Sequence, residues 1–254
     1  PVLDIKPYVL PINDEGEQER IKLERIVSNP RRDLTALIRN RELDKLLVKA
    51  GMLHGHFCPG LAMGVMAAAH AMNRMRKAAD GMEKLLAIVE TNNCFADGIQ
   101  FVTGCTLGNN SLIYRDLGRT AVTLTARDGR GIRLSVKPDY RNNMDEKFPE
   151  YRRLFNKVVK ERNQSEEDTV EFKIRGREVS FMMLAVDFKR IFSEQEVTVA
   201  IPEYAPVHES VLCDGCGESI MGTRIVEKAG KNLCLPCANA DYYQLEGSGI
   251  VHIF

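Results

Sequence analysis

The sequence predicts an α+β fold, with helices packed on a mixed sheet and a small four-cysteine zinc-finger domain at the C-terminal end. Three observations carry that prediction. Apolar residues recur at helical spacing early in the chain, as at Leu34, Leu37, Ile38, Leu46, Leu47 and Ala50. From Ser111 the period of the pattern changes to two, the signature of strands. Two Cys-x2-Cys pairs then follow a linker marked by Pro202 and Pro206. The expected division is a core over residues 1–204 and a finger with its tail over residues 205–254.

Taken in order, residues 1–13 hold Pro1, Pro7 and Pro11 and read as an extended arm. A first helix is expected from Asp14 to Val27, its opening acids suiting the positive end of the helix dipole. Asn29-Pro30 reads as an N-cap with proline at the first helical position, and this second helix should end at Gly51. The loop Met52–Phe57 is then expected to carry two histidines. A third helix should run from Pro59 to Ala79. Its Gly60, Gly64 and Ala68 recur every four residues, a smooth stripe for a second backbone, either within the chain or across a dimer. His70 on that helix reads as a satisfied side chain rather than a ligand.

Lys84–Glu90 reads as a buried strand that runs into a polar loop with Cys94. A short helix follows from Asp97 to Val102, closed by Gly104. The Gly-rich stretch from Thr103 to Asn110 lacks the Lys-Ser/Thr of a phosphate loop. Strands are expected over Leu112–Tyr114, Ala121–Ala126 and Ile132–Val136, the last two joined through Asp128-Gly129 as a hairpin. Beyond them come a charged helix over Lys147–Arg162, a break at Ser165–Asp168, and a strand or helix start at Thr169–Ile174. A helix over Val179–Ile191 and a strand over Glu196–Ile201 complete the core.

Composition bounds the function. The chain has 254 residues, 44% of them hydrophobic, enough for a sizeable core. Its 35 basic and 35 acidic residues cancel, so nothing argues for electrostatic capture of nucleic acid or of a membrane surface. The most apolar run, Leu61–Met72, is too short to span a bilayer. The chain opens without a basic-then-apolar leader, and its seven cysteines read as metal ligands or thiols rather than a disulfide framework. Both features place the protein in the cytoplasm.

The chemistry concentrates in His54-Gly55-His56-Phe57-Cys58-Pro59-Gly60. Imidazole and thiolate bind zinc, nickel, copper or iron at neutral pH. Pro59 suits the first turn of the following helix, which puts Cys58 at or near its N-cap. Free N–H groups and the dipole there favour thiolate. The plain alternative is a capped turn with a buried Cys and two solvent-facing histidines. A second loop, holding Cys94 and Asp97, lies just past a strand's C-terminal end, where α/β sites usually sit.

Cys213-x2-Cys216, seventeen residues and Cys234-x2-Cys237 form a four-thiolate zinc spacing. Ile220–Val226 and Lys231–Leu233 should form a hairpin between the pairs, with a short helix from Pro236. A closed shell of four thiolates leaves no open position, which assigns this zinc a structural role. The apolar tail Gly249–Phe254 should pack on the core or on a partner chain.

Together, His54-Gly55-His56-x-Cys58-Pro59-Gly60 with Leu61-Ala62-x-Gly64, Cys94-x2-Asp97-x2-Gln100 and Thr103-Gly104-Cys105-Thr106-x-Gly108-Asn109 resemble the FmdE family, relatives of the FmdE component of formylmethanofuran dehydrogenase. The resemblance spans about residues 35–205, and the four-cysteine module is similar to the treble-clef finger that many members carry. It implies an α+β core, an intertwined homodimer and a metal pocket built from the first two motifs. Cys105 of the third motif then falls in the wall of that pocket.

The expected core ligands are a subset of His54, His56, Cys58 and Cys94, with Asp97 as ligand or as partner of one. Mixed nitrogen and sulfur donors suit zinc first, with nickel or iron as alternatives. Three function classes compete. One is a metalloprotein of redox or one-carbon metabolism with a small-molecule substrate. Another is a regulatory module whose finger docks a protein while the core only dimerises. The third is a thiol enzyme with Cys58 as nucleophile and His54 as its base.

Overall fold

A computed structural model describes residues 14–76 and 82–254. The arm expected over residues 1–13 and the end of the third expected helix lie outside them. Helix α1 (Asp14–Ser28) is followed by α2 (Arg32–Asn40) and α3 (Leu43–His54) where one helix was expected. Arg41 breaks the run in a left-handed conformation, φ 57°, and the N–H groups of Arg41 and Glu42 close the end on Ile38 and Leu37 carbonyls. Gly51 does not end α3. Its missing side chain makes room for the Phe57 ring, and the helix continues to a left-handed Gly55. His54 therefore stands on the last turn of a helix rather than in a loop.

Helix α4 (Pro59–Met75) is capped by Cys58, whose sulfur accepts the Leu61 N–H at 3.4 Å. It is buried nearly all round, as its Ala-rich sequence requires. Fully burying a side chain such as Leu61 contributes roughly 1.5–3 kcal/mol. Strand β1 (Leu85–Val89) is buried throughout and leads to α5 (Cys94–Thr103), which starts three residues earlier than expected because Asn93 caps it. The small-residue stripe finds its partner within the chain: a Cβ on Gly64 would stand 2.2 Å from the Phe95 carbonyl oxygen and 3.0 Å from Gly98 Cα. Helices α4 and α5 thus touch backbone to backbone.

Strands β2 (Leu112–Tyr114), β3 (Ala121–Ala126), β4 (Arg130–Val136) and, after a helical insertion, β5 (Phe192–Thr198) complete a five-stranded sheet of order β2-β1-β3-β4-β5. β1 and β2 are parallel and the other pairs antiparallel, so the sheet is mixed, as predicted. β5 lies earlier than the expected Glu196–Ile201, because β4 offers partners only back to Arg130, which pairs with Thr198. At the end of β1, buried Glu90 receives both Arg133 nitrogens, at 2.8 and 2.9 Å, and Arg119 at 2.6 Å. That pairing holds its carboxyl below the usual range and anchors the loop leading to Cys94.

The insertion comprises α6 (Pro138–Lys147), α7 (Pro149–Phe155), a π-helical turn at Asn156–Lys160, α8 (Glu166–Met183) and α9 (Phe188–Ile191). One capped helix, α8, takes in the expected Thr169–Ile174 segment and the start of the expected Val179–Ile191 helix, whose end is the separate α9. Ser165 and Asp168 form a reciprocal capping box, and Val179, Ser180 and Met183 are buried, which outweighs the weak helix propensity of its β-branched residues. Gly176 brings α8 against the Phe57 carbonyl, over the His/Cys motif. His70 stacks on Phe188, ring centroids 3.8 Å apart, and bonds Glu194 at 2.7 Å; it is satisfied, as expected.

The C-terminal region consists of three short antiparallel pairs. β6 (Ser210–Leu212) pairs with β7 (Ser219–Met221), and β8 (Ile225–Lys228) with β9 (Lys231–Cys234). After α10 (Leu235–Ala238), β10 (Tyr242–Glu246) pairs with the tail strand β11 (Gly249–Ile253). No helix among the described residues is long and apolar enough to cross a membrane.

Candidate metal centres

Two cysteine-containing clusters stand out among the described residues. In the finger, the sulfurs of Cys213, Cys216, Cys234 and Cys237 lie within 4.8 Å of one another. Tetrahedral ligands at zinc distances stand about 3.3–3.8 Å apart, so this cluster fits the ion. The Cys213 sulfur accepts N–H groups from Gly215 and Cys234 at 3.4 and 3.2 Å, and Cys234 sulfur accepts that of Cys237 at 3.5 Å. Gly215 allows a close approach, since a Cβ there would meet the Cys237 Cβ and sulfur both at 3.0 Å. Asp214 ties the two knuckles together, bonding Asn232 through both its backbone and its carboxylate. The backbone N–H donors draw the Cys213 thiol down to about 6, while hydrogen bonds with its neighbours push Cys237 up to about 12. Four crowded thiols ionise together only around a cation.

In the core, ligand atoms of His54, His56 and Cys58 also lie within 4.8 Å of one another. The end of α3 supplies His54, the turn after Gly55 supplies His56, and the cap of α4 supplies Cys58. The imidazole rings of His54 and His56 sit 4.4 Å apart. His54 Nδ1 meets the Asp97 carboxylate at 2.7 Å, which leaves Nε2 facing Cys58 Sγ at 3.6 Å. Asp97 sits on the first turn of α5 behind His54, where it also accepts from Gln100 at 3.3 Å. This is the arrangement in which a carboxylate orients a metal-binding imidazole. Cys94 begins α5 within hydrogen-bonding reach of both Cys58 and His54.

Cys94 lies outside the group of three that converge within 4.8 Å, but the two core thiols influence each other's acidity. Donation from Cys58, opposed by burial but helped by His54, draws Cys94 down to about 6. Cys58 is pushed upward by that same hydrogen bond and by burial. Burial, with the charge of His54, holds His56 below the usual imidazole value.

Cys105 departs from expectation. It is buried beyond the far end of α5, its thiol bonds the Leu85 carbonyl at 3.3 Å, and burial pushes it up to about 11. It does not line the pocket. The wall comes instead from the helical insertion, which sequence reasoning missed. His56, Cys58 and Cys94 sit at the edge of a cavity of about 630 Å³ lined otherwise mainly by α6–α8. Tyr151 and Phe155, four apart on one helix, were a readable hint of an aromatic face, but nothing tied them to a motif a hundred residues earlier.

Comparison with known proteins identifies the family and the finger. Residues 53–193, more than half of the chain, match the family described as FmdE, molybdenum formylmethanofuran dehydrogenase operon. The chain belongs to the FmdE family. Residues 209–243 of this FmdE-family protein match the prokaryotic dksA/traR C4-type zinc finger, and the four-cysteine cluster lies within them. An Archaeoglobus fulgidus protein named a probable S-adenosyl-L-methionine-binding protein is 40% identical over 257 residues. The match takes in 99% of this chain but 65% of that relative's length. A crystal structure of a tungsten formylmethanofuran dehydrogenase FmdE-like protein from Syntrophus aciditrophicus is 25% identical, with a TM-score of 0.48 over 77% of this chain and 91% of that one. The family match and the four-cysteine finger make this a metal-binding FmdE-like protein with a structural zinc finger.

Proposed function

We propose that the core pocket binds a second transition metal and presents it to a small molecule, in redox or one-carbon chemistry. One observation carries the reading: three soft or borderline donors converge within 4.8 Å at the edge of a cavity large enough for a metabolite. His54, His56, Cys58 and Cys94 would hold the ion, with Asp97 fixing the tautomer of His54. Such an ion supplies a Lewis acid or a site for a bound thiol or water. Zinc suits the donor set first, with nickel or iron as alternatives.

The ligand named for the A. fulgidus relative divides on charge here. S-adenosylmethionine carries a carboxylate and an adenine ring that suit Arg162, Lys173 and the aromatic lining, but its sulfonium and ammonium find no Asp or Glu among the described lining residues. A metal-free thiol mechanism would shift from Cys58 to Cys94, the more acidic partner.

Elemental analysis of the purified chain tests the metal reading. Two equivalents per chain are expected, falling to one in Cys58→Ala and Cys94→Ala variants. One equivalent in the wild type, all of it lost with the finger, would end the proposal.

A further inference from the structure

We infer that the core cavity takes an anionic ligand with a flat apolar body, its oxyanion held by Arg162 and Lys173 and its body lying on the Tyr151–Phe155–Phe172 wall. The inference deepens the reading above: it uses the proposed pocket but does not depend on the metal. The lining holds three kinds of residue. His56, Cys58 and Cys94 are the candidate ligands among it. Tyr151 and Phe172 stack 5.5 Å apart at 12°, with Phe155 6.3–6.4 Å from both, a continuous apolar face of the kind that receives a flat ring. The third kind is cationic: Arg162 follows the π-helical turn and Lys173 lies on α8.

Two features show that these cations are built toward the cavity. Lys173 lines the same cavity as His56, Cys58 and Cys94, next in sequence to Phe172 of the aromatic face. Arg162 is a non-glycine residue in a left-handed conformation, φ 55°, two residues after a π-helical turn whose Val158 and Val159 line the cavity. Irregular backbone of both kinds collects at functional sites. With no Asp or Glu among the described lining residues to neutralise them, these cations favour carboxylate, phosphate or sulfonate over a neutral or cationic head. Arg162 and Lys173 are exposed at the rim, so their heads stay hydrated until a ligand arrives.

The experiment uses two dyes with one aromatic body, 1-anilinonaphthalene-8-sulfonate and its sulfonate-free parent N-phenyl-1-naphthylamine, titrated into the full chain by fluorescence. The sulfonate should bind near one per chain and roughly 10- to 100-fold tighter than the parent, the worth of a charge-assisted hydrogen bond. The double variant R162Q/K173Q, which changes only exposed side chains, should erase that preference and leave parent binding unchanged. Phe172→Leu should weaken both dyes alike. Equal affinity of the two dyes in the wild type overturns the inference. A preference that survives R162Q/K173Q also overturns it, because the anion is then held by a metal or elsewhere. Metal content is measured on the same samples. Lost discrimination with two equivalents present sinks the ligand class alone, and preserved discrimination with one equivalent sinks the metal reading alone. Competing the sulfonate dye with a carboxylate or a phosphate monoester separates the head groups; failure of both to compete counts against the inference.

Discussion

The two clusters use the same donor chemistry in opposite ways. In the finger, four cysteines within 25 residues meet around a point, with only short hairpins and a one-turn helix to hold them. In the core, His54, His56 and Cys58 come from one helix junction and Cys94 from another helix some forty residues later, on a scaffold of buried leucines, valines and alanines. The finger's knuckles depend on the ion to offset crowded thiols. The core donors are already positioned by protein contacts: Asp97 on His54, the Leu61 N–H on Cys58, and Gly64 against Gly98. The first geometry makes a metal into a folding element, and under the reading proposed above the second would make it a reagent. A closed shell of four thiolates has no position to offer, whereas the core set faces a cavity.

The largest expected effect tests this contrast directly. Cys213→Ser, or chelation of the finger zinc, should unfold residues 205–254, because so small a module lacks the core to stand alone. Limited proteolysis should then cut beyond Pro202 while a fragment of the first 200 or so residues persists. If the variant resists protease like the wild type, the finger is not metal-built and the contrast collapses. Removing metal from the core should by comparison leave its melting little changed, since the buried sheet and α4 do not depend on the ion.

A smaller effect sharpens the core side. Asp97→Asn keeps size and polarity but removes the charge behind His54 and allows the wrong tautomer at Nδ1. Changes at such oriented partners cost roughly 10–100-fold in metal affinity. Competition with a calibrated chelator should show that loss for one equivalent and none for the finger's. Equal weakening of both equivalents would show that Asp97 acts on the fold at large, and no weakening would remove it from the site.

How much of this was legible in the sequence follows the same divide. The finger was readable because its information is local: spacing, glycine positions and ligand identity all lie within one stretch. So were Cys58 as a helix cap and the resemblance carried by the His-x-His-x-Cys-Pro motif. The helix boundary at Gly51 misled, because glycine there serves the Phe57 ring rather than a turn. The Gly64 stripe was ambiguous until α5 was seen lying on it. Above all, the cavity wall was hidden. Tyr151, Phe155, Phe172 and Lys173 approach Cys58 only because an insertion between two sheet strands folds back over α4, and no local pattern encodes that return.

The smallest expected effect concerns the join between the two regions. Among the described residues two hydrogen bonds join the tail hairpin to the core: the Asn92 amide donates to the Glu246 carbonyl at 2.6 Å, and Ile250 N–H donates to the Asp116 carboxylate at 2.8 Å. Asn92 stands two residues before Cys94, so the hairpin reaches the edge of the core site. The Ile250 N–H, with the Tyr114 hydroxyl at 2.7 Å, holds the Asp116 carboxyl below its ordinary range. A carboxyl lowered by its partners stabilises the docked state above its free pKa, and that contribution is lost as pH falls through the lowered value. Docking should therefore be intact at neutral pH and weaken only in acid. Asp116→Ala should abolish the pH step and speed hydrogen exchange at the Ile250 amide, with both metal equivalents retained. Being exposed, the contact should shift overall melting barely, as single surface interactions do. An Asp116→Ala variant that lost the core equivalent would mean that the two regions are not independent, and that the tail helps to build the site it borders.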